Sequence, residues 1–250
     1  SKVAAYGFLR IAMPLFPDAF ADWQMIFLVL ALLSILYGSI QAFTQTNVRL
    51  ILGYSSIAQL GFITLGIFAL DPEGRGAQGA ILQMVNHGLV VAPLILIIAM
   101  LAERAGSEDL EDLGGEAFRA PLLATLFLIV ALATLAMPGS ANFIGEFYIL
   151  NALLEAKIVF AFVAGAGVVL AAYYALRLFQ RAMHNDKPGT GSRELGLRDG
   201  LVLAPLVACI VALAFYPQLI LQRTDESATA AVTAVEATNP GSTEEPLARR

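Results

Sequence analysis

Residues 25–43 read MIFLVLALLSILYGSIQAF, an apolar run with no charged residue. Its length decides the fold class. A hydrocarbon core of roughly 30 Å is crossed by about 20 helical residues. Ile81–Ala102 and Ile158–Leu176 are runs of the same kind, and Leu201–Tyr216 is a slightly shorter one. In lipid, every backbone N–H and C=O must find its partner within the chain, which leaves helices or a closed barrel. Barrel strands alternate apolar and polar residues. These runs are continuous, so they are helices.

Working outward from residues 25–43, the apolar runs and their breakers divide the chain into about seven membrane segments. These are Ser1–Leu15, Trp23–Phe43, Arg49–Leu70, Gly79–Glu103, Pro121–Leu154, Lys157–Met183 and Gly200–Pro217. The expected fold is an all-α polytopic helical bundle over residues 1–217, followed by a partly disordered external tail over 218–250. Phe16-Pro17-Asp18, Asp71-Pro72-Glu73-Gly74 and Lys187-Pro188-Gly189 mark turns. The first segment opens on Ser1-Lys2, already inside an apolar stretch, so the sequence reads as the C-terminal part of a longer protein.

The fifth segment is too long for one straight crossing. Met137-Pro138-Gly139-Ser140 interrupts it near the middle, and Asn142 follows. Proline removes a backbone donor and clashes with the preceding turn. A discontinuous helix at membrane depth needs protein or a polar cavity around it. It is either a simple kink or a break lining an ion pathway.

The composition excludes several classes. Of 250 residues, 58% are hydrophobic and 14% charged, with net charge −5 and mean hydropathy +0.73. Soluble domains carry about a quarter charged residues. There is no basic patch for nucleic acid and no signal-peptide pattern. The single cysteine, Cys209, permits no disulfide or cysteine metal site within the chain. No phosphate loop, nucleophile triad, haem ligand pair or iron–sulfur ligand set is visible. Loops after even-numbered segments hold Arg49, Arg104, Arg119, Arg181, Lys187, Arg193 and Arg198, whereas odd ones hold Arg75 and Lys157, plus three arginines in the tail. The positive-inside rule then places the even loops in the cytoplasm and the C-terminus outside.

Ionisable residues at membrane depth cost about 2.5–3.5 kcal/mol each on insertion scales, so they need a reason. Lys2 lies about 20 Å along its helix from the external end, near mid-depth. A buried lysine there can release and recapture a proton, unless its stem reaches an interface. His87 can pass a proton between its two ring nitrogens, or simply bond a neighbouring helix. Gln83 shares its face at i and i+4, Asn86 precedes it, and Pro93 frees the carbonyl of Leu89. Glu146 follows the break, with Asn142 one turn earlier. It is a loading site or a cap of the second half-helix. Arg49, Arg10 and Arg177 lie nearer segment ends. Arginine does not titrate at usable pH, so they are anchors or fixed charges. Lys2, His87 and Glu146 on three helices suit a lateral row of titratable groups, which points to ion or proton translocation.

Four stretches at these residues carry a family resemblance: Lys2-Val3-Ala4-Ala5-Tyr6-Gly7-Phe8-Leu9-Arg10; Gln45-Thr46-Asn47-Val48-Arg49-Leu50-Ile51-Leu52-Gly53-Tyr54-Ser55-Ser56; Met84-Val85-Asn86-His87-Gly88-Leu89; and Met137-Pro138-Gly139-Ser140-Ala141-Asn142-Phe143-Ile144-Gly145-Glu146-Phe147. They resemble the antiporter-like subunits of proton-pumping NADH–quinone oxidoreductase, respiratory complex I, and most of all the M type (mitochondrial chain-4 type). The resemblance runs from Ser1 to about Leu221. It implies fourteen helices in inverted five-helix repeats, with this chain entering in the eighth. It makes Lys2 the central lysine, His87 a connecting histidine and Glu146 the terminal carboxylate on a broken helix. Glutamate there favours the M type over siblings with lysine. Two positions depart from the family: Arg49-Leu50 where lysine and another polar residue are usual, and Gln59 where histidine often stands. Both remove titratable sites.

The resemblance implies a non-redox translocase subunit of the enzyme in the cell's inner (plasma) membrane. Its partners are the bilayer and the other membrane subunits, with no nucleic acid. NADH, FMN, iron–sulfur clusters and quinone are expected in partner subunits and no cofactor in this chain. The rival readings are a subunit of a cation/proton antiporter without redox coupling, and a structural scaffold whose buried charges only fix packing.

Overall fold

The computed structural model describes residues 2–184 and 194–238. All of its named elements are helices: α1 Val3–Leu15, α2 Pro17–Asp22, α3 Gln24–Thr44, α4 Val48–Phe68, α5 Arg75–Ala105, α6 Glu116–Arg119, α7 Pro121–Thr134, α8 Ala141–Ala156, α9 Ile158–His184, α10 Leu197–Phe215 and α11 Gln218–Thr238. Helix α1 contains a π-helical stretch over Phe8–Ala12. Among the described residues, α3, α4, α5, α9 and α10 are each long and apolar enough to cross a membrane. Helix α1 and the α7–α8 pair account for the other two expected segments. The expected polytopic bundle is therefore present. The turn at Lys187-Pro188-Gly189 and the arginine at 193 lie outside the described residues.

The fifth segment is two helices and not one kinked helix. Helix α7 ends at Thr134, Ala136 takes φ +52° and Gly139 φ +98°. Ser140 then starts α8, its hydroxyl accepting from Phe143 N at 3.2 Å. The left-handed Gly139 is tolerated because it has no Cβ.

Small residues let the central helices touch backbone to backbone, as membrane packing favours. A Cβ on Gly66 would stand 2.6 Å from Gly76 O, joining α4 to α5. A Cβ on Gly79 would stand 2.8 Å from Gly145 O, joining α5 to α8. At one end of the bundle, the Phe68 ring stacks on Phe20 (4.2 Å) and Phe27 (4.4 Å), and the Phe8 ring meets all three edge-on. At the other end, Asn47 caps α4, accepting from Arg49 N (2.9 Å) and Leu50 N (3.2 Å). Leu110 N donates to Thr46 O at 2.7 Å and fixes the 106–115 loop there.

The expected tail differs. Residues 218–238 form α11, which buries Leu221, Ala228, Val232 and Val235 and packs on α5, α2 and α1. Gln78 and Asp225 are hydrogen-bonded across that contact. Composition misses it because Ala, Thr and Ser lower the apolar average, while the buried positions still recur at helical spacing. Residues 239–250 lie outside the described residues.

Candidate functional site

Glu146 lies in the second turn of α8, 3% exposed. Its partners are side-chain amides, not backbone N–H groups, so it does not cap the half-helix; Ser140 does. Gln59 Nε2 on α4 donates to Glu146 Oε1 at 3.0 Å. Gln83 Nε2 on α5 donates to Gln59 Oε1 at 2.7 Å and reaches Glu146 Oε1 at 3.5 Å. Three helices thus meet at one carboxyl group through a triangle of hydrogen bonds. The approach requires Gly145: a Cβ there would stand 2.7 Å from Gln83 Oε1.

No cation is paired with Glu146 among the described residues. A buried carboxylate without a countercharge is expensive unless hydrogen bonds compensate it. The two amides offer that compensation without a fixed charge. An amide is both donor and acceptor, so it can serve either protonation state of the acid. Gln83 Oε1 has no partner among the described residues.

From Gln83 the polar row continues along α5. Asn86 and His87 are buried, and neither Asn86 polar atom nor His87 Nδ1 has a partner among the described residues. A small cavity lies between Asn86, Leu89, Ala141 and Asn142. Asn142 Oδ1 is likewise unpartnered. The freed carbonyl of Leu89 therefore belongs to a cavity-lining residue. Lys2 follows, half-buried, with its Nζ 3.8 Å from the point where a Cβ on Gly88 would stand, next to His87 in the chain. Orphaned polar atoms of this number in one place are a recognised feature of sites that hold water or handle protons.

Lys2, His87, Gln83, Asn86, Asn142 and Glu146 are brought into one band of the bundle. The three arginines are not. Arg49 is largely exposed and pairs with Glu108 at 2.6 Å, beside the Asn47 cap. Arg177 donates to the carbonyls of Phe43 and Gln45, the latter at 3.2 Å, and covers the Phe43 ring at 5.5 Å, closing the end of α3. Arg10 is exposed on the π stretch of α1. Two residues enter that the sequence reading did not place in the row. Gln59 is the principal donor to Glu146. Tyr174 on α9 is buried, and its hydroxyl has no partner among the described residues.

Residues 1–171 match the family described as NADH:quinone oxidoreductase/Mrp antiporter, TM. NADH-quinone oxidoreductase subunit M of Rickettsia prowazekii (strain Madrid E) is 35% identical over 223 residues, covering 88% of this chain and 45% of that protein. The subunit M of Escherichia coli (strain K12) is 38% identical over 224 residues, covering 88% and 44%. The chain spans about half the length of the curated relatives it matches. A chain of respiratory complex I from Thermus thermophilus with bound NADH superposes with TM-score 0.87 at 32% identity, over 94% of this chain and 50% of that one. A chain of the Mrp complex from Dietzia sp. DQ12-45-1b shares the fold, with TM-score 0.79 at 24% identity, over 96% of this chain and 52% of that one. By sequence match and by superposition, this chain belongs to the NADH:quinone oxidoreductase/Mrp antiporter transmembrane family.

Proposed function

We propose that this chain is part of a proton-translocating membrane subunit of NADH–quinone oxidoreductase, of the subunit M type. The observation that carries the reading is the Glu146 carboxyl, held in the bundle interior by two neutral amides and continued by a polar band through His87 to Lys2. A carboxylate locked to a lysine or arginine would stay charged. One held by Gln59 and Gln83 can load and unload a proton with little rearrangement.

Coupling along the band is electrostatic. At an effective dielectric of about 20, unit charges about 7–8 Å apart interact by about 2 kcal/mol, more than one pKa unit. Quinone reduction in a partner subunit would start the alternation. NADH, FMN, iron–sulfur clusters and quinone would sit in those partners, and sibling antiporter-like subunits would adjoin this one in the bacterial inner membrane. In that membrane, the loops at 45–47 and 106–115 would face the cytoplasm and α11 the outside.

The test is Glu146→Gln in the full-length protein, in its native membrane, after assembly is verified. NADH–quinone turnover and proton uptake into inverted vesicles are both expected to fall several-fold. Wild-type values for both would leave Glu146 a packing residue and remove the basis of the reading.

A further inference from the structure

Arg119, the last residue of α6, is half-buried, and its Nη1 has no hydrogen-bond partner among the described residues. A guanidinium is charged at every usable pH, so a buried N–H without an acceptor is costly. The carboxylates of α6 and of residues 194–199 are engaged. Glu116 pairs with Arg104 at 3.0 Å. Glu194 accepts from the backbone N–H groups of Leu122 (3.1 Å), Leu123 (3.4 Å) and Leu195 (3.0 Å). Asp199 lies against the start of its own helix, its Oδ2 3.6 Å from the point where a Cβ on Gly196 would stand. The acidic loop at 108–112 is held at the start of α4, where Glu108 pairs with Arg49. Arg119 is left with a charge that none of these acids answers.

The surroundings say what would answer it. Arg119 stands two residues before Pro121, where the apolar helix α7 begins. The bonds from Glu194 to Leu122 and Leu123 tie the start of α10 to the start of α7, and the two helices pack together. Apolar side chains are exposed around this junction: Phe118 is 88% exposed, and Leu122, Leu197 and Leu201 are exposed as well. In water such a face is unfavourable. At a bilayer surface it is the arrangement of an interfacial anchor. The ring sits at headgroup depth, the leucines meet acyl chains, and the cation lies at the level of the phosphates. The planar guanidinium fork matches two oxygens of one phosphate.

We propose that Arg119 and Phe118 form a binding site for an anionic phospholipid, in the leaflet at the 106–115 end of the bundle. The phosphate lies on the Arg119 guanidinium, and the acyl chains run along Leu122, Leu197 and Leu201. Zwitterionic lipids carry the same phosphate but offset it with an ammonium group. Arg181 in the last turn of α9 and Arg198 in the first turn of α10 are exposed at this end and favour a headgroup of net negative charge. The site rests on the membrane reading of α7 and α10 and is independent of the role of Glu146.

The experiment uses the full-length protein in its assembled complex, reconstituted into phosphatidylcholine vesicles. These are doped with either photoreactive phosphatidylglycerol or photoreactive phosphatidylcholine. Labelling of the peptides around residues 116–123 and 195–201 is read by mass spectrometry. The phosphatidylglycerol probe is expected to label them about fivefold more than the phosphatidylcholine probe, the weight of one basic contact at a membrane surface. Arg119→Gln is expected to abolish that preference, and Arg119→Lys to retain part of it, since the charge stays and the fork is lost. Equal labelling of the wild type by both probes, or a preference unchanged in Arg119→Gln, would overturn the site. So would loss of the preference when inorganic phosphate replaces chloride at equal ionic strength, which would assign Arg119 to a free anion. Absence of label from both probes would overturn it too, and would assign the face to a protein partner.

Discussion

Gln59 and Glu146, separated by 87 positions in the chain, meet at 3.0 Å in the interior of the bundle. The bond links α4 to the second half of the broken segment, and Gln83 reinforces it from α5. Hydrogen bonds to charged groups contribute about 1.5–3 kcal/mol. Gln59→Leu is therefore expected to destabilise the assembled protein by about that amount while Glu146 is ionised, read by thermal unfolding. Combined with Glu146→Gln, the loss should be smaller than the sum of the two single losses, because both variants remove one shared interaction. Simple additivity would mean that the two side chains act independently.

Gly145 is the gap through which Gln83 reaches the acid. In Gly145→Ala the new methyl would stand 2.7 Å from Gln83 Oε1. Overpacking of this kind costs about 1–3 kcal/mol. The expected outcome is a lower melting temperature together with reduced proton uptake, since Gln83 must swing away from Glu146. A variant with wild-type uptake would show that the Gln83 contact is dispensable.

Gly139 holds φ +98° at the helix break. A β-branched residue there is strained by about 1–3 kcal/mol. Gly139→Val should therefore displace the start of α8 and lower both stability and uptake, whereas Pro138→Ala should leave the break in place, since Ser140 still caps α8. Limited proteolysis and uptake measurements on the two variants distinguish these outcomes.

Glu194 offers a pH test outside the membrane-spanning helices. Slight desolvation works against its charge, but it accepts from the backbone N–H groups of Leu122 (3.1 Å), Leu195 (3.0 Å) and Leu123 (3.4 Å), with Arg104 nearby. These hold the carboxyl below its ordinary range. Its folded value lies below its unfolded one, so its contribution is full above the unfolded value and is lost as pH falls through the folded one. Amide exchange at Leu122 and Leu123 should accelerate relative to the interior of α7 as the medium is acidified across that window. In Glu194→Gln the start of α7 should no longer respond to acid there.

Much of the architecture is legible in the residues themselves. Continuous apolar runs predict helices because lipid leaves the backbone no other choice. Pro138-Gly139 predicts the break because neither residue sustains a helix there. Lys2, His87 and Glu146 are conspicuous because charge at membrane depth is costly, and the structure places them in one band. Gln59 is harder to read. Its amide does not titrate, which makes it a lost site on a search for proton carriers. The structure shows that it supplies the main hydrogen bond to the acid, and only the approach of α4 to α8 reveals that. The register of α11 can be found from the spacing of Leu221, Ala228, Val232 and Val235, but its partners cannot.

The most direct measurement of the central claim is vibrational. Infrared difference spectra of the assembled full-length complex, resting against turning over, report the carbonyl stretch of a protonated carboxylic acid. A band that appears or vanishes with turnover in the wild type and is missing in Glu146→Gln is the predicted result, since Glu146 then gains and loses its proton during the cycle. A difference spectrum unchanged by Glu146→Gln would contradict the account: the acid would keep one protonation state throughout, and its amide cage would serve packing alone.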